Sequence, residues 1–213
     1  MEREDYEKRN NWAGSFYELA LRSPVKGDIR ALQPVMAALW SSAELIGPWR
    51  ERGDVGTPSH TTTLEAGELN SLYGILQVSD SVHVGCFTDI FDEPDDFAWL
   101  CLSIPTAMLD RYYDVREPLG HRNNPWLDEL DAALLRIAGA TFSAVPYHLG
   151  LIGEEALGLV GQEASASMGD QLLGGTMLHD GGVIVASSYL PLLPRGVRYE
   201  EPSPGVLWLP RND

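Results

Sequence analysis

The chain has 213 residues, of which 44% are hydrophobic, and its 31 Asp and Glu against 15 Lys and Arg give a net charge of −16 at pH 7. This length and apolar content suit one globular domain over residues 1–213, and there is no apolar run of the roughly 18 residues that a membrane-spanning helix needs. The negative field repels phosphate and anionic lipid, so nucleic acid and membrane surfaces are excluded as partners and a protein with a basic surface is favoured.

The start of the chain and its cysteines predict a cytoplasmic location. The segment Met1-Glu2-Arg3-Glu4-Asp5-Tyr6-Glu7-Lys8 is charged with both signs and lacks the apolar stretch of a secretion signal. Cys86 and Cys101 are expected to be reduced, small core residues. The sequence has no Cys-x-x-Cys spacing and its five His are scattered, so no metal site and no cofactor are predicted.

The first third of the chain predicts one strand, one helix and a long loop. Residues 1–11 are a polar arm, and residues 15–22 alternate as a strand with one wet face. An apolar stripe predicts a helix over residues 32–42, with Pro34 in its first turn. Gly47-Pro48-Trp49 breaks this pattern and begins an exposed loop that extends to Pro58.

The middle of the chain predicts a β-meander. Strands are expected over residues 60–64, 71–78, 82–87 and 97–104, with a short turn at Ser79-Asp80 between the second and the third. The third and fourth strands are joined by an acidic segment over residues 89–96, in which five carboxylates fall within eight positions: Asp89, Asp92, Glu93, Asp95 and Asp96. Such a run is either a solvated loop or a docking surface for a cationic partner.

The second half predicts the best-marked helix. A short helix is expected from Pro105 to Tyr112 or Tyr113, and a long one over residues 125–142 with Asn124 as its cap. The carboxylates of Asp128, Glu129 and Asp131 lie at its positive end. A strand over 147–152, a helix over 165–173, a strand over 183–189 and a hairpin over 201–209 follow. The fold class is therefore α+β, a mainly antiparallel sheet packed with two or three helices.

Catalytic motifs do not occur, and no catalytic residue is predicted. The sequence has no Gly-x-Ser-x-Gly elbow, no phosphate-binding loop and no His-Glu-x-x-His. The alternative is a small hydrolase in which Glu154, Glu155 and His179 supply an acid/base pair. The same residues also suit a solvated strand end and a turn.

Four segments resemble one known family. They are residues 11–19, the helix ending Ala37-Ala38-Leu39-Trp40, Gly47-Pro48-Trp49, and residues 151–155. Together they resemble the immunity protein 52 family of bacterial polymorphic toxin systems. The resemblance implies an acidic α+β protein of the cytoplasm that neutralises a cognate toxin. The implied toxin is a nuclease with a restriction-endonuclease-like fold, delivered by a contact-dependent or type VI secretion route.

The residues themselves suggest where such a toxin docks. Clustered carboxylates imitate a phosphate backbone and attract a basic cleft over long range. The expected surface is the acidic segment 89–96, with Asp128, Glu129 and Asp131 as a second patch and Trp49 as an apolar anchor. Charge reversal of Asp92, Glu93 and Asp95 together is expected to weaken toxin binding and leave the fold intact. An effector-loading adaptor or chaperone is the alternative within the same class of binding proteins.

Overall fold

An antiparallel sheet of nine strands, in the order β2-β3-β4-β5-β1-β6-β7-β9-β8, organises the described part of the chain. The computed structural model describes residues 3–23, 25, 28–54, 71–91, 97–156 and 182–210. The strands are β1 Phe16–Arg22, β2 Leu45–Trp49, β3 Leu72–Gln77, β4 His83–Phe91, β5 Trp99–Pro105, β6 Leu149–Glu154, β7 Gly182–Ala186, β8 Glu200–Ser203 and β9 Val206–Leu209. The α-helices are α1 Arg3–Glu7, α2 Leu32–Trp40, α3 Thr106–Leu109 and α4 Leu127–Ala144.

The first strand lies at the centre of this sheet. Leu19 pairs with Leu102 of β5 on one side and with Ile152 of β6 on the other. Alternate side chains of β1 point to opposite faces, and Leu19 and Leu21 are fully buried. Burial of each contributes about 2 kcal/mol to stability.

The two faces of the sheet are covered differently. On the first face, α2 packs beside α4, and the Trp40 indole donates a hydrogen bond to the Thr88 hydroxyl of β4 at 3.2 Å. On the second face, Met108 of α3 and the Trp12 ring lie over Gly85, so closely that a Cβ there would meet both. The absence of a side chain at Gly85 on β4 thus makes room for Met108 and Trp12 on the second face.

The fold class is confirmed: the chain is α+β with a mostly antiparallel sheet. Most predicted elements are found within a few residues of their expected bounds, including the β3–β4 hairpin and the long helix α4. The predicted strand over 60–64 and helix over 165–173 lie outside the described residues, as does His179.

Three predictions at the start and middle of the chain are corrected. The polar arm contains α1, whose Tyr6 is 2% exposed because its ring packs into the core and its carbonyl accepts the Trp12 indole N–H. Gly47-Pro48-Trp49, where the exposed loop was expected to begin, belongs to strand β2, since an edge strand tolerates a proline that lacks an N–H. Trp49 on that strand is 3% exposed and belongs to the core, so it is not an exposed apolar anchor.

Three further boundaries differ from expectation. Strand β4 continues to Phe91, so Asp89 lies within a strand and not in a loop. The strand after residue 182 ends at Ala186 and a 3₁₀ helix follows. Asn124 does not cap α4, because its side chain is used by the loop that precedes the helix.

Candidate partner-binding site

The exposed start of α4 carries two of the predicted partner-binding carboxylates. Asp128 and Glu129 lie in the first turn of the helix, and the Asp128 side chain is 81% exposed. Negative charges there interact favourably with the unpaired N–H groups of the helix, each contributing about 0.5 kcal/mol. The two carboxylates therefore stabilise the helix and remain accessible to solvent.

The loop before α4 is fixed by Asn124, which is completely buried. Its side-chain oxygen accepts the backbone N–H of Arg116 at 2.8 Å, and its amide donates to the Arg116 carbonyl at 2.7 Å. The same amide lies within hydrogen-bond distance of the Pro118 and Gly120 carbonyls. One side chain thus pairs with both backbone groups of Arg116 and adds to the loop's own backbone hydrogen bonds.

His121 joins this loop to the helix and to the sheet. Its Nδ1 lies 2.7 Å from Asp128 Oδ1 and its Nε2 lies 3.1 Å from Asp131 Oδ2. The second Asp131 oxygen accepts the Tyr17 hydroxyl of β1 at 2.6 Å. The hydrogen bond with Asp131 raises the pKa of His121 to about 9, because this bond and the one with Asp128 outweigh the loss of solvation. His121 is consequently an imidazolium at neutral pH.

This charged network makes stability depend on pH. The folded-state pKa of His121 is about 9 against an ordinary 6.5, so its contribution is full below pH 6.5 and is lost as pH rises through 9. Between about pH 6 and about pH 10, we expect the free energy of unfolding of the wild type to fall by about 1 kcal/mol more than that of His121→Asn. This value is reduced to allow for solvent screening. Urea unfolding of both proteins at the two pH values measures it, and an equal loss in both would contradict this role.

An aromatic pair borders the carboxylates. The Tyr113 and Trp126 rings stack with centroids 4.5 Å apart and planes 10° apart, and both side chains are half-buried. The Tyr113 hydroxyl donates to Glu129 Oε2 at 3.2 Å. The pKa of Tyr113 is raised, mainly because the side chain is partly buried and also because the Glu129 carboxylate is close. We call Tyr113, His121, Trp126, Asp128 and Glu129 the α4 patch.

The remaining predicted carboxylates do not join this patch. Asp131 is 7% exposed and is used by His121 and Tyr17, so it does not face a partner. Asp89 is half-buried on β4, where burial raises its pKa although the Ser71 hydroxyl donates to it. Asp92, Glu93, Asp95 and Asp96 lie outside the described residues.

The flank of the acidic segment and the α4 patch lie at opposite ends of β1. Phe91, the last described residue before the segment, pairs with Trp99, which pairs with Arg22 at the end of β1. Asp131 instead contacts Tyr17 near the start of that strand. A strand of this length spans roughly 20 Å. Phe91 and the residues at the start of α4 are therefore separated by about the length of this strand.

The residues of the hydrolase alternative are only partly described. Glu154 at the end of β6 accepts the Ser15 hydroxyl at 2.7 Å, and Glu155 follows in the left-handed region with φ of 44°. His179, the third residue of that alternative, lies outside the described residues. Across the described ranges no group of three His, Cys, Asp or Glu is placed to hold a metal ion.

The cysteines lie on different faces of the sheet. Both are free and buried, as predicted for reduced core residues, and burial raises the pKa of each thiol. Cys86 shares a face with Thr88, whereas Cys101 pairs with Asp89, one position further along β4. Side chains on opposite faces of one sheet do not meet.

Comparison of the chain with protein-family models, curated proteins and solved structures gave no significant match. The resemblance to the immunity protein 52 family stays a prediction. Among the described helices, none has the length and apolar character needed to cross a membrane.

Sequence reasoning missed His121, Tyr113 and Trp126 as parts of the site. Trp126 begins the apolar run of α4, a pattern that predicts a core position, but the structure leaves it half-buried. His121 and Tyr113 lie in an irregular loop, so no periodic pattern marks them. The one available signal was the isolated charge of Asp131 among apolar helix positions, which calls for a buried partner.

Proposed function

We propose that this protein is an antitoxin that binds and neutralises a cognate secreted toxin of the nuclease class through the α4 patch. The observation that carries the proposal is a pair of exposed carboxylates fixed beside a half-buried aromatic stack. This arrangement lies on a chain with a net charge of −16. It offers a cationic partner both charge and apolar contact area.

The charge supports rapid capture of a basic protein. A nuclease presents a basic cleft to the phosphates of its substrate, and carboxylates on an inhibitor are attracted to the same cleft. Such steering raises association rates to about 10⁸ M⁻¹s⁻¹ at low salt. Added salt is expected to slow association by screening these charges.

The rigidity of the patch supports tight binding. His121 holds Asp128, and the Tyr113 hydroxyl holds Glu129, so neither carboxylate has to be ordered when a partner arrives. Binding therefore loses less side-chain entropy than it would with two free side chains. Tyr113 and Trp126 are residue types that dominate binding energy in protein interfaces.

Charge reversal tests the patch. We expect Asp128→Lys with Glu129→Lys to weaken toxin binding roughly 30-fold, because both attractive charges become repulsive. The matched control is Glu51→Lys with Glu200→Lys, which alters the net charge equally at exposed positions on other elements. Calorimetric titration with the purified toxin measures both affinities, and circular dichroism verifies folding. Equal affinities in the two double variants would exclude the α4 patch as the docking surface.

The toxin is sought as the product of the adjacent gene. Expression of that product alone should kill cells and degrade plasmid DNA, and coexpression with this chain should prevent both. Co-purification of the two proteins without protection of the DNA would indicate the adaptor or chaperone function instead. A folded variant with Asp92, Glu93 and Asp95 reversed distinguishes docking at the acidic segment from docking at α4.

A further inference from the structure

An open cleft of about 380 Å³ lies between the β3–β4 turn, the start of β2 and the middle of α4. Its charged lining residues are Glu44, Asp80 and Arg136, and His83, Gln77 and Ser79 add polar groups. The α4 patch contributes no residue to this cleft. It is therefore a separate feature of the surface.

Arg136 is held in place by Glu44, a carboxylate that also lines the cleft. Its Nε donates to Glu44 Oε1 at 2.9 Å, and Glu44 Oε2 accepts the Ser42 hydroxyl at 2.6 Å. Burial opposes ionisation of Glu44, but the hydrogen bonds from Ser42 and Arg136 prevail and lower its pKa. The two terminal NH₂ groups of Arg136 have no hydrogen bond to any residue that the structure describes. They form a positioned fork of the kind that binds a carboxylate.

Asp80 supplies the opposite charge in the same cleft. It lies exposed in the β3–β4 turn and makes no ion pair with Arg136 or with another described residue. A ligand that carries only a negative charge is attracted by Arg136 but repelled by Asp80. A ligand that carries only a positive charge is attracted by Asp80 but repelled by Arg136. A small molecule with both charges satisfies both groups.

We propose that this cleft binds a free α-amino acid. The amino acid's carboxylate accepts the terminal N–H groups of Arg136, and its ammonium lies against the Asp80 carboxylate and the polar groups of the turn. The side chain of the ligand then lies toward Gln77 and His83. This inference is independent of the proposed antitoxin function, since it rests on different residues.

Calorimetric titration with each of the common L-α-amino acids tests the inference. Because the cleft is open, we expect at least one to bind with a dissociation constant on the order of 1 mM. The N-acetyl derivative and the amide of that amino acid each lack one charge, and each is expected to bind about tenfold more weakly. Absence of binding by every amino acid at about 10 mM would overturn the inference.

Two variants identify the site. Asp80→Asn and Arg136→Gln are each expected to weaken binding about tenfold, whereas Asp110→Asn and Arg122→Gln, at exposed positions elsewhere, leave it unchanged. Arg136→Lys keeps the ion pair with Glu44 available and removes only the fork, so it separates ligand binding from local stability. Wild-type affinity in Asp80→Asn and Arg136→Lys would overturn the assignment. The Asp128 and Glu129 variants leave the cleft unaltered, so the two proposals fail separately.

Discussion

Asn124→Ala is expected to lower the free energy of unfolding by about 3 kcal/mol. The Asn124 side chain is completely buried and satisfies both backbone groups of Arg116. Alanine leaves that N–H and that carbonyl without their partner, and each unpaired buried group costs about 1 to 2 kcal/mol. The loop that carries His121 loses its fixed geometry at the same time.

The neighbouring asparagine is the control for this variant. Asn123 is exposed, and its side chain makes one longer hydrogen bond, 3.3 Å to the Pro118 carbonyl. Asn123→Ala is therefore expected to change stability by less than about 0.5 kcal/mol. Urea unfolding monitored by fluorescence measures both variants. Similar stabilities in the two variants would show that Asn124 does not hold the loop.

Gly182→Ala is expected to lower the free energy of unfolding by about 3 kcal/mol through overpacking. The Trp208 ring of β9 lies across Gly182 of β7, and an added Cβ would come within 1.6 Å of a ring carbon. Trp208 is 6% exposed and packs in the core, so the ring cannot move aside without displacing its neighbours. Glycine is thus required here by space and not by backbone conformation.

Gly53→Ala provides the matched control. A Cβ at Gly53 would meet no atom within 4 Å, and its backbone is not in the left-handed region. We expect this variant to keep wild-type stability to within about 0.5 kcal/mol. The intrinsic tryptophan fluorescence, to which Trp208 contributes as one of six tryptophans, should change in Gly182→Ala but not in Gly53→Ala. A Gly182→Ala protein as stable as Gly53→Ala would disprove the close packing of Trp208 on β7.

The parts of the fold that follow a regular pattern were predicted from sequence. In α4, Leu127, Leu130, Leu134 and Ile137 recur at helical spacing and all are fully buried. In β1 the alternation of apolar and polar residues predicted the strand, but the predicted wet face is wrong, because Glu18 and Ala20 on that face are buried as well. Strand β2 was missed because its Gly-Pro sequence is typical of a turn, and only the sheet order shows that it is an edge.

The candidate site was predicted only in part because its members come from distant segments. Asp128 and Glu129 were identified by their position at the start of a helix. Asp131 lies just beyond the first turn, between the inward positions of Leu127 and Leu134, so the helix directs it toward the sheet. Its partners come from distant segments: Tyr17 of β1 donates a hydrogen bond to it, and His121 of an irregular loop supplies the opposite charge, and no sequence pattern links them.

The central place of β1 has a consequence for folding. The β3–β4–β5 meander consists of neighbours in the chain and closes with short connections. The partners of Ala20 in β1, by contrast, are Cys101 and Leu151. Both edges of β1 can therefore be paired only after much of the chain has been synthesised. During synthesis on the ribosome this apolar strand is exposed while the rest of the sheet is made, which is the period in which the chain is most prone to aggregate.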